Sequence, residues 1–338
     1  MKTIPVLVLA LSSALPVAAP VARAAEPITL RFAMTSPQAG WSWQKWFEPR
    51  WIPAVENASA GTLKIQPYFG ITLANMLNAY DRTVNGVADL AYSVTGTMRG
   101  KFPKSNVVEL PNDSNGREAS GALWKLYESG LTAAEWSDTV PLYLYVYSQS
   151  VFHFQKPITK LEDIRGMKIG ATSKVTADTI ERLGAAPVTT SPAEMYEVLQ
   201  RRTITGMAMG WNGVLSFKLP DVTSYHVNVQ LGSGGGFMIL NKDTYAKLPA
   251  KAKAAIDANS GYGPSKAFGD VIDANAAEQF DTVKAMPGQT QAFLPPEEKK
   301  RWQERSIAMI DEWVRATPDG AAVLAAYRKG IADIRAGL

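Results

Sequence analysis

The side chains that most often carry out chemistry are scarce in this sequence. It has no cysteine and two widely separated histidines, His153 and His226. That leaves no thiol nucleophile and no cluster with metal-ligand spacing. His153 stands between Phe152 and Phe154, a setting that suits a hydrogen-bonded structural ring better than a general base. There is no G-x-S-x-G elbow, S-x-x-K pair, H-E-x-x-H helix or Walker loop. The pair Glu297-Glu298 falls at a helix start, where carboxylates suit the helix dipole. The run Gly232-Ser233-Gly234-Gly235-Gly236 precedes a strand instead of opening a helix, so it reads as a flexible crossing and not as a phosphate loop. No cofactor or metal is expected and the chain does not read as an enzyme, with an exported carboxylate-dependent enzyme as the alternative.

Residues suited to binding are better represented, and they sit where short elements end. From Leu161 to Leu219 the chain alternates strand and helix: a strand at Met167–Ile169, a helix at Val175–Leu183 and a strand at Ala186–Thr189. A helix opened by Ser191-Pro192-Ala193-Glu194 follows, then a strand at Gly206–Met209 that ends in Trp211-Asn212. Such alternation builds a parallel sheet, which binds ligands where strand ends meet helix starts. The first half repeats the pattern, with strands at Ile28–Met34, Leu63–Tyr68, Gly86–Ser93 and Val107–Leu110, and helices at Asn75–Val84 and Arg117–Ser129. Leu142–Tyr147 leaves this first region and Phe237–Leu240 can return to it; the remainder is helical from Leu248 onward. Trp43, Trp46 and Phe47 share a helical face and fill a core, with Pro49 and Pro53 kinking or restarting the helix. Trp41 precedes that helix, in the loop after the first strand, and is a candidate to line a pocket.

The first residues address the compartment. Lys2, an apolar run from Ile4 to Val21 and Ala22-Arg23-Ala24 together read as a cleaved secretory leader, residues 1–24. No other stretch has the roughly 18 apolar residues of a membrane span, so no membrane insertion is expected. The 338 residues carry a formal charge of +4, of which Lys2 and Arg23 supply two, and no basic block stands out. Nucleic acid and anionic lipid are therefore poor partners. Without disulfides, stability has to come from a core.

The central stretch resembles the extracytoplasmic solute receptors of TRAP transporters, the DctP type. The likeness is carried by LEDIRGMKI, ERLGAAPVTTSPAEMYEVLQRRTITG and LSFKLPDV, and by Gly86 with Asp89, Glu109-Leu110-Pro111, and Asn241-Lys242, Tyr245 and Leu248-Pro249. It runs in order through essentially the whole mature chain. The resemblance implies an α/β, two-lobed periplasmic-binding-protein-like fold, mixed sheets flanked by helices with a ligand cleft between the lobes. Lobe 1 would comprise 25–148 plus 237–285, and lobe 2 149–236 plus 286–338, with the C-terminal helices open to either lobe. It further implies a periplasmic receptor that delivers a small organic solute to TRAP membrane subunits; presentation to a membrane sensor kinase is the alternative the same fold raises.

The family arginine that follows Lys-Ile and grips a ligand carboxylate falls on Gly170 here. The family asparagine falls on Met209, its aromatic before Ser-Glu on Pro192, and the basic residue of some members near Ser150. Thr35 stays polar. An acid would then rest on hydroxyls such as Thr95 and Thr172, on Trp211, Asn212 and the backbone N–H groups at the Val175 helix start. A neutral or aromatic ligand would lie against Trp41, Tyr92, Phe152 and Trp211. Arg99 and Arg165 are candidate replacements for the missing cation, because a buried carboxylate without one is costly.

Overall fold

The computed structural model describes residues 26–338, so the expected leader at 1–24 lies outside the described residues. The elements run β1 (Ile28–Met34), α1 (Ile52–Ala58), β2 (Leu63–Phe69), α2 (Ala79–Val84), β3 (Leu90–Val94), α3 (Gly116–Glu128) and β4 (Thr139–Phe154). Next come β5 (Lys168–Ala171), α4 (Lys174–Arg182), β6 (Ala186–Thr189), α5 (Met195–Gln200), β7 (Gly206–Gly210), β8 (Tyr225–Val227) and β9 (Ser233–Asn241). The chain closes with α6 (Lys242–Lys247), α7 (Ala250–Ala258), α8 (Tyr262–Ala285), β10 (Thr290–Ala292), α9 (Pro296–Ala316) and α10 (Gly320–Arg335). Among the described residues no helix is long and apolar enough to cross a membrane.

One mixed sheet in the order β2-β1-β3-β9-β4-β7-β5-β6 threads the molecule. Its first part pairs β1 parallel to β2 and β3, with β9 running antiparallel between β3 and β4. Its second part sets β5 parallel to β6 and β7, with β7 and β8 antiparallel to β4. β4 belongs to both parts. Residues up to Gln149 pair with β9, residues from Ser150 pair with β7, and the register shifts between Val146 and Gln149. That irregularity lets a single strand pass from one sheet direction to the next. At the edge of the first part, Asp89 accepts from Arg31 N at 2.8 Å and Nε at 2.9 Å, tying β1 to the entry of β3.

Strand alternation puts a core on each face of each lobe. In β9, Phe237 and Ile239 join Phe102, Trp136 and Tyr80 on one side, while Met238 and Leu240 join Phe32, Phe47 and Phe268 on the other. In the second lobe Phe152 and Phe154 pack with Ile180 and Trp302, and Val151 with Met195, Ile204 and Trp211. Full burial of each such side chain contributes about 1.5–3 kcal/mol, enough to hold a cysteine-free chain together. Two helices serve both lobes. α8 gives Phe268 and Ile272 to the first and Val283 to the second; α9 gives Trp302 to the second and Met309, Ile310 and Trp313 to the first. α10 packs Val323, Tyr327 and Ile331 into the first-lobe core beside α3. Residues 320–335, left open to either lobe by the sequence, thus pack with the first-lobe core, because their apolar stripe meets α3.

Two local expectations need correction, and the expected proline disturbance after Trp43 takes a specific form. Val107–Leu110 is no strand: Ser105–Glu109 is a tight helical turn, whose apolar residues anchor it to the core. Trp43–Trp51 forms a widened, π-type helix, with Pro49 inside it and the Ile52 N–H reaching back to the Phe47 carbonyl. Proline supplies no N–H and so forces such a readjustment of the ladder. The glycine run is not a loose crossing either. Gly234–Gly236 are strand residues of β9, with Gly235 and Gly236 paired to β4. A Cβ on Gly236 would stand 2.2 Å from the Tyr145 ring, so glycine is required there for close approach rather than flexibility.

Candidate functional site

A cavity of about 110 Å³ opens between the lobes, on the axis of the β4 irregularity. The first lobe contributes the loop after β1 (Thr35 to Ser42), the end of β3 and the turn holding Glu109; the second contributes Ser150, Thr172, Pro192 and the segment Met209 to Phe217. Gly234 and Gly235 form part of its floor.

The first-lobe wall is aromatic and hydroxylic. Trp41 stacks on Phe268 at 5.6 Å between centroids and meets Tyr147 edge-on. The Tyr92 and Tyr147 hydroxyls lie 2.8 Å apart, and Tyr145 donates to the Ser93 carbonyl at 2.8 Å. Burial pushes all three phenols up in pKa, so they act as neutral donors and acceptors. The Thr35 hydroxyl donates to the Tyr92 carbonyl at 2.9 Å, which fixes the loop that carries Trp41.

Glu109 is the one ionisable side chain of the wall apart from the tyrosines. It closes the Ser105–Glu109 turn, and its backbone carbonyl lies so near Gly232 that a Cβ there would stand 1.9 Å away; Gly232 also has φ +104°. The Ser173 hydroxyl donates to its Oε2, and Ser173 at the same time caps α4 by accepting from Thr176 N at 3.0 Å. Its Oε1 lies beside Gly96, 2.6 Å from where a Cβ would be. Burial without a cationic partner pushes the carboxyl up to about 7. The start of α4, where an anionic ligand was expected, is thus occupied by the protein's own carboxyl group.

Seven expected residues line the cavity: Thr35, Trp41, Tyr92, Ser150, Thr172, Met209 and Asn212. Asn212 does so with its amide already committed. Its Oδ1 accepts from Ser148 N at 3.0 Å, and its Nδ2 donates to the Ile272 carbonyl at 2.7 Å and to Asn275 Oδ1 at 3.1 Å, riveting the second-lobe loop to α8.

Four others are elsewhere. Phe152 lies deeper along β4 on the same face as Phe154, covered by Trp302. Trp211 is turned away from the cavity onto His153, His226 and Phe280, each about 5 Å from its ring. Thr95 is buried beneath the floor, its hydroxyl unpartnered and directed at Gly235. Gly170 faces the second-lobe core: a Cβ would stand 2.8 Å from Ile204 Cδ1 and 2.9 Å from Met195 Sδ. Met195 and Ile204 therefore hold the volume that an arginine at 170 would enter. The proposed substitute cations fare no better. Arg165 is exposed before β5, and Arg99 is exposed on an outer groove that shares Thr97 and Thr172 with the cavity but does not itself line the cavity.

Sequence reasoning missed Glu109 as a site residue, together with Tyr147, Ser216 and Phe217. Glu109 was visible as part of a motif, but nothing local told which lobe face it would meet. His153 is indeed structural. Its Nδ1 lies 2.8 Å from His226 Nδ1 and its Nε2 3.1 Å from the Met209 carbonyl, and burial pushes its pKa down to about 3. Among the described residues no group of three His, Asp or Glu side chains is placed to hold a metal.

The comparisons agree with this fold. The sequence model of the bacterial extracellular solute-binding proteins, family 7 (DctP), matches residues 43–316. A TRAP solute-binding protein from Rhodoferax ferrireducens, solved with copurified benzoate, superposes with a TM-score of 0.85 at 27% identity, over 90% of this chain and 98% of that one. A marine-metagenome TRAP solute-binding protein specific for aromatic acids, bound to 3-hydroxybenzoate, gives 0.86 at 25% identity, over 91% and 99%. Among curated proteins, the outer membrane transporter protein TsaT of Comamonas testosteroni is 28% identical over 221 residues, 62% of this chain and 64% of that protein. The C4-dicarboxylate-binding periplasmic protein DctP of Rhodobacter capsulatus is 25% identical over 185 residues, 52% and 53% of the two chains. The match to these curated relatives thus spans between half and two thirds of their length.

Proposed function

The chain belongs to the bacterial extracellular solute-binding proteins of family 7, a family of receptors and not of enzymes, and from that premise we propose that it captures one small organic solute and delivers it to the membrane subunits of a TRAP transporter. The observation that carries this reading is the cavity itself, walled by both lobes at the one strand they share. A molecule held there touches both lobes at once, so binding and lobe closure are coupled. Size agrees: the similar solved receptors hold benzoate and 3-hydroxybenzoate, single-ring compounds. The cavity, about 110 Å³, is of the same order as the roughly 150 Å³ that accommodates benzene. Residues 1–24 would direct export to the periplasm and be removed there.

The decisive experiment is mass spectrometry of the small molecule that accompanies the purified protein, followed by a melting assay with that compound. A ligand that binds only the folded state adds about 2.7 kcal/mol at a hundredfold excess over its Kd. Protein that carries nothing, and whose melting temperature no organic acid, alcohol, amine or aromatic raises, would oppose the receptor reading. Recovery of the ligand unchanged after long incubation is expected of a receptor.

A further inference from the structure

Resting on the receptor reading, we propose that this cleft selects a nitrogenous ring compound, an amine, amidine or amide whose N–H groups meet Glu109, and not a carboxylic acid. Three observations lead there. Among the described residues that line the cavity, none is lysine, arginine or histidine. Nothing in the wall can therefore neutralise a ligand carboxylate, and an unpaired buried charge is strongly disfavoured. The position that would hold a family-type arginine is closed from behind by Met195 and Ile204.

The second observation is the placement of Glu109. Its side chain is 5% exposed, borders the cavity, and has one hydrogen-bond partner, the Ser173 hydroxyl on Oε2. Oε1 is left facing the space beside Gly96. The elements around it supply hydroxyl and backbone groups: Ser173 and Thr176 from the start of α4, Gly96 after β3, and Gly232 before β9. No charged side chain contributes to its titration, which is governed by burial and Ser173. Below about 7 this carboxyl keeps its proton and can itself donate; above that it is an acceptor, and a cationic or N–H donor then makes the strong form of that bond.

Third, the surrounding rings suit a positive or N–H-bearing partner. Trp41, Tyr92, Tyr147 and Phe217 border the same cavity, and aromatic faces attract cations. A ligand carboxylate would instead meet a second carboxyl group, and two such groups in one buried site cannot both ionise.

The test uses three probes of one shape: benzamidine, benzamide and benzoate, with benzylamine and pyrrolidine as further amines. Purified protein is stripped of accompanying ligand by unfolding and refolding, and affinities are read by calorimetry at pH 8. The nitrogen compounds are expected to bind and benzoate to fail. Glu109→Gln keeps a partner for Ser173 and should weaken benzamidine at least tenfold, with a smaller change for benzamide. In the parent protein, benzamidine affinity should rise as the pH passes upward through about 7, because Glu109 then ionises to meet it. If benzoate binds, with affinity falling over the same range, a protonated Glu109 is sharing its proton with an acid and the proposal is overturned while the receptor reading stands. If no probe binds, the accompanying molecule decides: a carboxylate overturns the proposal and a nitrogen compound supports it. Absence of any such molecule, with no probe binding, removes the receptor reading and the proposal together. Should Glu109→Gln fail to fold, the parent's pH profile decides alone, a flat or falling curve counting against.

Discussion

The two walls of the cleft are built from the same elements, strands that end at helices or loops, yet they use them differently. On the second-lobe side the strand ends point inward to their own core: Gly170 meets Met195 and Ile204, Phe152 meets Trp302, and Trp211 packs on two histidines. On the first-lobe side the side chains point across the gap, with Trp41, Tyr92 and Glu109 all on the cavity. One wall is largely structural at its strand ends and meets the ligand space through Ser150, Thr172, Ser216 and Phe217. The other carries the recognition chemistry. Binding specificity in this protein is therefore lopsided, and substitutions on the two sides should report through different observables.

The largest expected effect is on the second-lobe side. Gly170→Arg must push aside Met195 and Ile204 and bury a guanidinium with no acceptor, which should cost about 3–5 kcal/mol. Urea denaturation measures it directly, and an undiminished midpoint would mean that position 170 opens on the cleft after all. Trp211→Ala comes next, removing a ring packed between His153, His226 and Phe280. A loss of about 3 kcal/mol is expected, with ligand affinity of the still-folded protein changed less than about threefold; a selective loss of affinity would return Trp211 to the recognition wall.

Smaller still is the difference between the walls in their response to pH. Glu109, pushed up to about 7 from 4.5, keeps a proton in the folded chain that the unfolded chain has released. Its contribution to stability is therefore lost as the pH rises from about 4.5 through about 7. His153 and His226 are pushed down from 6.5, His153 to about 3, so the unfolded chain takes up protons that the folded chain refuses. Their contribution is lost as the pH falls below about 6.5. The two walls oppose each other between about 4.5 and 6.5. Glu109→Gln removes one arm, so its stability relative to the parent should climb with pH across that window; melting temperatures in matched buffers give the answer, and parallel curves would place Glu109 outside the buried wall. The smallest expected effect is Tyr147→Phe, which deletes one hydroxyl of the Tyr92–Tyr147 pair. A stability change of about 1 kcal/mol with altered ligand preference would place that hydroxyl on the recognition side.

What could be read in advance divides along physical lines. The boundaries of β5, α4, β6 and β7 were legible because strand–helix alternation and capping side chains are local signals; Ser173 caps α4 and Ser191 pairs with Glu194 as expected of such sequences. The Ser105–Glu109 turn was misread as a strand because a short run with three apolar residues, Val107, Val108 and Leu110, fits either element, and only its packing into the core decides. The misplacement of Phe152, Gly170 and Trp211 has another cause. Strand parity tells which residues share a face, but not which face looks at the partner lobe. Glu109 was hidden for the same reason: its role depends on Ser173, more than sixty positions away in the chain.

The glycine floor of the cleft has a consequence for how such a receptor can change over time. A side chain at Gly235 would crowd Thr95 and Val108, and one behind the floor at Gly236 would strike Tyr145, whereas one at Gly234 would meet only Tyr147 at 3.7 Å, so the floor is open to substitution at one of its two glycines and resists it at the other. Drift toward a new solute is open at Gly234 and at the rim, where Ser36, Met76, Pro192, Ser216 and Phe217 sit on loops and turns. Ligand preference should thus vary among close relatives at those positions while Gly235 and Gly236 stay glycine.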